Sequence, residues 1–187
     1  FCCNGYRSIF VDLKKTDTEV FSYELAPQKT VENIIYELHI KDFSYDSHSG
    51  IPQKYRGKYK AFTVEPEAGA GREASSAGEE PVPTGMAYLK ELGITHVHLL
   101  PFCDYGWLDE AGDDSQFNWG YDPVNYNVPE GSYATEVHDG TVRIRECKEM
   151  IQAFHQAGIR VVMDVVYNHT YEADSWLERS APGYFCR

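Results

Sequence analysis

Apolar residues in this chain come in short blocks separated by polar, glycine-marked gaps. Ser8 to Leu13 reads as a first strand, and the run from Asn33 to Phe43 as a second. A helix follows from about Gly85 to Leu92, with Met86, Leu89 and Leu92 on one stripe and Gly93 as its stop. The strand Ile94 to Leu100 ends at Pro101. A second helix, about Val142 to Ala157, puts Ile144, Cys147, Ile151 and Phe154 on one face, and Gly158 ends it. Ile159 to His169 then reads as a buried parallel strand, short and rich in β-branched residues, with the carboxylate of Asp164 inside it. A buried charge is costly unless paired, so Asp164 needs a structural or catalytic reason.

The alternation of strand, loop, helix and strand predicts parallel pairing with right-handed crossovers. The connections are unequal. Single glycines, Gly93 and Gly158, lead from helix to strand, whereas the strand-to-helix loops run to roughly 40 residues. Long loops confined to the C-terminal ends of parallel strands mark the active-site face of a (β/α)8 barrel or a doubly wound sheet. No glycine-rich phosphate loop follows any strand, which favours an α/β fold of the TIM-barrel type with about the first three of its eight strands. Residues 1–30 read as the tail of a preceding β domain, the end of a β-sandwich, with a linker at Ala26-Pro27-Gln28-Lys29. Residues 31–187 then form the N-terminal portion of the barrel, interrupted by a low-complexity stretch at 65–83 that reads as a mobile surface loop. The chain opens without an initiator methionine and stops after the third strand, so the expectation is a piece of a longer protein.

Composition narrows the partners. At 187 residues and 42% hydrophobic, the chain can bury a core, and its formal charge of −12 argues against nucleic acid. No segment approaches the apolar length of a membrane span. The five cysteines are odd in number and lack metal-ligand spacing, which argues against a disulfide framework; Cys147 reads as a core residue. The loop from Phe102 to Gly140 holds Tyr105, Trp107, Phe117, Trp119, Tyr121, Tyr126 and Tyr133. Flat rings stack on the apolar faces of sugars while Asp, Asn and His bind hydroxyls. Phe117, Tyr126 and Tyr133 read as a local core. Trp119 and Tyr121, presented by the turn Asn118-Trp119-Gly120-Tyr121-Asp122-Pro123, are the better ligand residues. His96 and His98 share one strand face, a pattern some metal-dependent barrel hydrolases use for zinc, but no partner cluster follows; they and His39 read as satisfied interior histidines.

Four segments in fixed order carry a resemblance: Tyr36 to Ser44, Tyr88 to Pro101, the Asn118–Pro123 turn followed by Val128-Pro129-Glu130-Gly131-Ser132-Tyr133, and Asp164-Val165-Val166-Tyr167-Asn168-His169. Together they resemble the α-amylase superfamily, glycoside hydrolase family 13, and within it the type I pullulanases. The resemblance implies retaining hydrolysis of α-1,6-glucosidic bonds in pullulan, starch or glycogen, that is, starch debranching. Tyr121 would be the platform under the sugar that is cut, and His169 would bind that sugar's primary hydroxyl. Trp119 and Asp122 would join them in substrate binding. Asp164 would order the centre without being the nucleophile. Asn168 would hold the loop and, in calcium-binding relatives, ligate the ion. Tyr36 and Asp42 would be structural. A retaining glycosidase needs two carboxyl groups roughly 5–5.5 Å apart. The family places its nucleophilic Asp, acid/base Glu and third Asp after the fourth, fifth and seventh strands, so none of the three is expected here. The other readings are a non-catalytic glucan-binding module and, more weakly, a metal-dependent hydrolase using His96 and His98. No cofactor is required on the first reading, and calcium is an open expectation.

Overall fold

The computed structural model describes residues 3–4, 8–18, 32–66 and 83–186. Its centre is a three-stranded parallel sheet of β1 (Ile35–Leu38), β2 (His96–Leu99) and β5 (Arg160–Met163), in spatial order β1-β2-β5. The register sets Leu38, Leu99 and Met163 side by side, and likewise Glu37, His98 and Val162. Because strand side chains alternate between faces, the first set points to one side and the second to the other.

The Leu38 side is packed. Helix α2 (Gly85–Glu91) and helix α3 (Gly140–Gln156) bring Met86, Leu89, Cys147, Met150 and Phe154 into one cluster with Val97, Leu99 and Ile159. The turn of 3-10 helix at Tyr59–Thr63 adds Tyr59 and Phe62; Phe62 lies against Phe154 (ring centroids 5.1 Å) and stacks on Phe43 (5.3 Å). The opposite side is open, with Ile35 and Val162 both exposed. That open face is the one a closed barrel would fill, and among the described residues the sheet does not close.

Both helix stops form as the glycines predict, with φ of +70° at Gly93 and +76° at Gly158. Asp139 caps α3 by accepting from the Thr141 amide at 2.9 Å.

Several expectations need correction. Residues 8–12 form no strand; Leu13–Thr16 is a turn of 3-10 helix capped by Asp12, and Phe10 is fully exposed. Phe21 to Leu25, the linker, and most of 65–83 lie outside the described residues. Leu92 is exposed rather than packed, because α2 ends at Glu91. On α3 the buried residues are Gly140, Val142, Arg143, Glu146, Cys147, Met150 and Phe154, with Ile144 and Ile151 only half-buried. Two charged residues displace the expected apolar ones because polar loops pack on that flank: Glu146 accepts from the Thr135 amide at 2.8 Å. β5 is an edge strand among the described residues, half-buried rather than buried, and it stops at Met163. Strand β1 also ends early, giving way to the short helix α1 (Asp42–Tyr45).

The loop from Phe102 to Gly140 contains a second sheet. β3 (Cys103–Tyr105) pairs antiparallel with β4 (Pro123–Pro129), with irregular register at Asp104. After β5 the chain makes one more short helix, α4 (Trp176–Ser180).

Candidate active site

The three parallel strands deliver their C-terminal ends to one edge. Sheet bonding continues one step past the regular strands: the Leu100 amide donates to Leu38 O and the Asp164 amide to Leu99 O, both at 3.0 Å. Asp164 is therefore held at the tip of β5, on the same face as Glu37 and His98. Its carboxylate Oδ2 accepts from the Tyr121 hydroxyl at 2.7 Å and lies 3.8 Å from His98 Nε2. The other His98 nitrogen is 3.3 Å from Glu37 Oε2. The bond to Asp164 pushes the Tyr121 phenol up to about 12, so it remains a hydrogen-bond donor at any ordinary pH.

Tyr121 is presented by a turn built for it. The Asn118 side chain is buried and fully used: its amide donates to Gly106 O (3.0 Å) and Asp122 Oδ2 (3.2 Å), and its oxygen accepts from the Gly120 amide (2.8 Å). Gly120 has φ +87°, and a side chain there would run into the Pro101 carbonyl. The turn thus sits directly on the end of β2. Trp119 stands out from it, 58% exposed, edge-on to Phe117 at 5.4 Å. Below, buried His39 accepts the Asp42 amide at Nδ1 (3.3 Å), which leaves Nε2–H directed at Asn118 O (2.9 Å) with Tyr133 Oη at 3.0 Å. Burial holds this imidazole below its ordinary range. His39 is a satisfied interior residue, and Tyr133 belongs to the core.

From the other side, His169 Nε2 is 2.6 Å from Tyr121 O, and the Tyr126 hydroxyl donates to His169 O. Tyr121, Asp164 and His169 are therefore brought together, with Trp119 and Asp122 on the same turn. Burial raises the Asp122 carboxyl, whose Oδ1 is buried without a partner among the described residues. Asn168 is exposed beside His169. His96 turns to Thr95 Oγ1 (2.8 Å), so the two histidines of β2 do not share a ligand.

A group the sequence did not reveal lies behind the hairpin. Asp104, Glu110 and Glu130 place carboxylate oxygens within 4.8 Å of one another. Arg143, 2% exposed, fills the space among them: it holds Glu110 with both terminal nitrogens (2.9 and 2.7 Å) and reaches Asp104 at 3.5 Å. Glu130 accepts from the Ser132 amide (2.7 Å) and the Tyr105 amide (3.1 Å), and burial followed by its acidic neighbours pushes its carboxyl up to about 8. Burial raises Asp104 as well. With a guanidinium already inside, the group is a structural ion cluster rather than a cation site. Only Glu130 fell within a recognised segment, and nothing in its spacing points to Arg143.

Known proteins match this sequence and fold. The chain is 45% identical to pullulanase of Bacillus subtilis over 186 residues, covering 98% of the chain and 24% of that protein. Isoamylase of Pseudomonas amyloderamosa is 38% identical over 149 residues, covering 78% of the chain and 16% of that protein. The crystal structure of Paenibacillus barengoltzii pullulanase in complex with maltohexaose and alpha-cyclodextrin superposes with a TM-score of 0.85 at 40% identity, over 100% of this chain and 28% of that one. The chain thus spans about a quarter of the length of these pullulanases. A family model, the alpha amylase catalytic domain, matches residues 81–183, more than half of the chain and the part that holds β2, the Asn118–Pro123 turn and the tip of β5. The chain belongs to the alpha-amylase family, as part of its catalytic domain, and within that family it is similar to pullulanases.

Proposed function

We propose that this chain is the section of a longer retaining glycosidase that builds the floor of the substrate site, and that the whole enzyme hydrolyses α-1,6-glucosidic links in pullulan or branched dextrins. The observation that carries the reading is the Tyr121 ring, fixed at the strand tips by its own hydroxyl on Asp164 and by a turn locked onto Pro101. A ring so held offers a flat apolar surface that stays put as substrate arrives, which is the condition for orienting a sugar for attack. Trp119 extends that surface, Asp122 steadies the turn, and Nδ1 of His169 is the nitrogen left to meet a sugar hydroxyl. Asp164 orders Tyr121 and is not the nucleophile. The nucleophile and acid/base, which must stand roughly 5–5.5 Å apart, come from strands outside this chain. Asn168 holds the loop. In a calcium-binding enzyme its side-chain oxygen would be a ligand to the ion.

The test is product analysis of pullulan incubated with the intact protein. Maltotriose as the main product means α-1,6 cleavage. Panose or isopanose overturns the debranching specificity and keeps the family. No cleavage of pullulan or of α-1,4 glucan leaves the glucan-binding module. Tyr121→Ala in the intact enzyme is expected to lower kcat/KM at least tenfold, about 1.4 kcal/mol of transition-state stabilisation.

A further inference from the structure

A cavity of about 380 Å³ opens between the β3–β4 hairpin and the loop that follows His169. Its volume lies in the range of small-molecule sites. It is separate from the Tyr121 platform but adjoins it, because Pro123 and Tyr171, each two residues past a platform residue, form part of its wall, and the Tyr171 amide donates to Pro123 O at 2.9 Å.

The rim is the unusual part. Trp107 is a non-glycine residue with φ +50°, at the centre of a tight turn in which the Leu108 amide donates to Gly106 O at 2.8 Å. Such backbone costs free energy for a side chain with a Cβ and persists where its surroundings enforce it, most often at functional positions. Here it holds an indole 58% exposed at the cavity mouth. Gly106 is required beside it, since a methyl group there would lie 2.5 Å from the Tyr171 ring, so Tyr171 packs flat on bare backbone. Trp176 stands in the facing wall, with the Arg179 guanidinium 5.2 Å from its ring centre.

The polar groups of the wall are mostly carboxylates, Asp104, Asp109, Glu110, Glu172 and Asp174, against the single cation Arg179 among the described residues. Arg179 pairs with Asp174 (2.7 Å), Asp109 accepts from the Ala111 amide (3.0 Å), and Arg143 at the base holds Glu110 and reaches Asp104. A cavity walled by four aromatic rings and by carboxylates that accept from hydroxyls suits a neutral, many-hydroxyl ligand, since the rings offer apolar faces and the carboxylates its hydrogen-bond acceptors. We propose that this cavity is a second sugar site, in which Trp107 stacks on a glucose residue of a glucan chain extending past the Tyr121 platform. The proposal takes its ligand class from the functional reading above.

The experiment measures maltohexaose binding to the intact protein by titration calorimetry, in a Tyr121→Ala background that disables the platform. Residual binding is expected, and adding Trp107→Ala is expected to weaken it about tenfold, with Trp107→Phe retaining most of it. An unchanged Kd on adding Trp107→Ala overturns the proposal, as does complete loss of binding in Tyr121→Ala alone while the wild type binds. Calcium chloride titrated alone gives the competing answer: heat abolished by Asp109→Asn, with none from the sugar, makes this a cation site. Trp107-dependent sugar binding by a wild-type protein that cleaves no glucan would sink the hydrolase reading and leave the pocket standing.

Discussion

The parallel sheet and the β3–β4 hairpin solve the same problem, burial of backbone, by opposite means. The sheet side is held by apolar contact. Leu89, Leu99, Met150 and Phe154 are all fully buried, and none needs a specific partner. The hairpin side is held by charge. Glu130 and Arg143 are as buried as Leu99, and each is bound to named groups at fixed distances. Apolar packing tolerates exchange of one hydrocarbon for another, whereas a buried ion cluster fails when one member is removed. The residues that face the proposed substrate ride on the second kind of structure, joined to the tips of the first.

Arg143→Ala breaks that contrast most severely. It leaves Glu110 and Asp104 beside buried Glu130 without a cation, and is expected to cost about 3–5 kcal/mol in denaturant unfolding of the intact protein. Leu99→Ala on the sheet side removes only contact area and leaves a cavity, at about 2–5 kcal/mol. The distinguishing result is rescue. Arg143→Met combined with Glu110→Gln should recover most of the first loss, while no polar exchange repairs the second. Equal losses without rescue would show that Arg143 acts by bulk alone.

The same contrast decided what the sequence disclosed. The 3.6-residue stripe, the two stop glycines and the β-branched runs report local physics, and they place α2, α3, β2 and the start of β5 to within a few residues, though β5 ends at Met163, six residues before the expected end. Tyr121, Asp164 and His169 are legible through the resemblance of their motifs, and the structure places the three side by side. The hairpin was not readable. β3 is three residues long and β4 carries two asparagines and two prolines, so neither shows strand alternation. Arg143 carries no signal in the sequence, because its partners lie 33 and 39 residues away and no local pattern records them. The expected strand Ser8–Leu13 erred the other way, since among the described residues its apolar side chains find no neighbouring strand.

A pH series sharpens the comparison with a smaller effect. Glu130 holds its proton up to about 8 when folded, against 4.5 for the free side chain, because burial and the nearby acidic groups of Glu110 and Asp104 disfavour its charge. Between those limits the folded state binds more protons than the unfolded one, so stability falls as pH rises. The stabilisation is complete below about pH 4.5 and lost as pH passes through about 8, at no more than about 1.4 kcal/mol per pH unit for one proton. Glu130→Gln should flatten that part of the profile, and Leu99→Ala should lower the whole curve without changing its slope there. An unaltered slope in Glu130→Gln would place the proton on another group.

The smallest predicted effect concerns the joint between the two regions. Tyr121→Phe keeps the ring and deletes the hydroxyl whose 2.7 Å bond to Asp164 ties the hairpin turn to the tip of β5. Tyr121 is partly exposed, so water can replace the lost partner, and the stability cost is expected to be only about 0.5–1.5 kcal/mol. If the ring serves as a platform and the hydroxyl only aims it, KM for pullulan in the intact enzyme should stay within about twofold while kcat falls about threefold to tenfold, because misalignment is felt most in the transition state. Tyr121→Ala should damage both parameters. A Phe variant as impaired as the Ala variant would move the function from the ring to the hydroxyl, and Asp164 and His98 would then be the groups to follow.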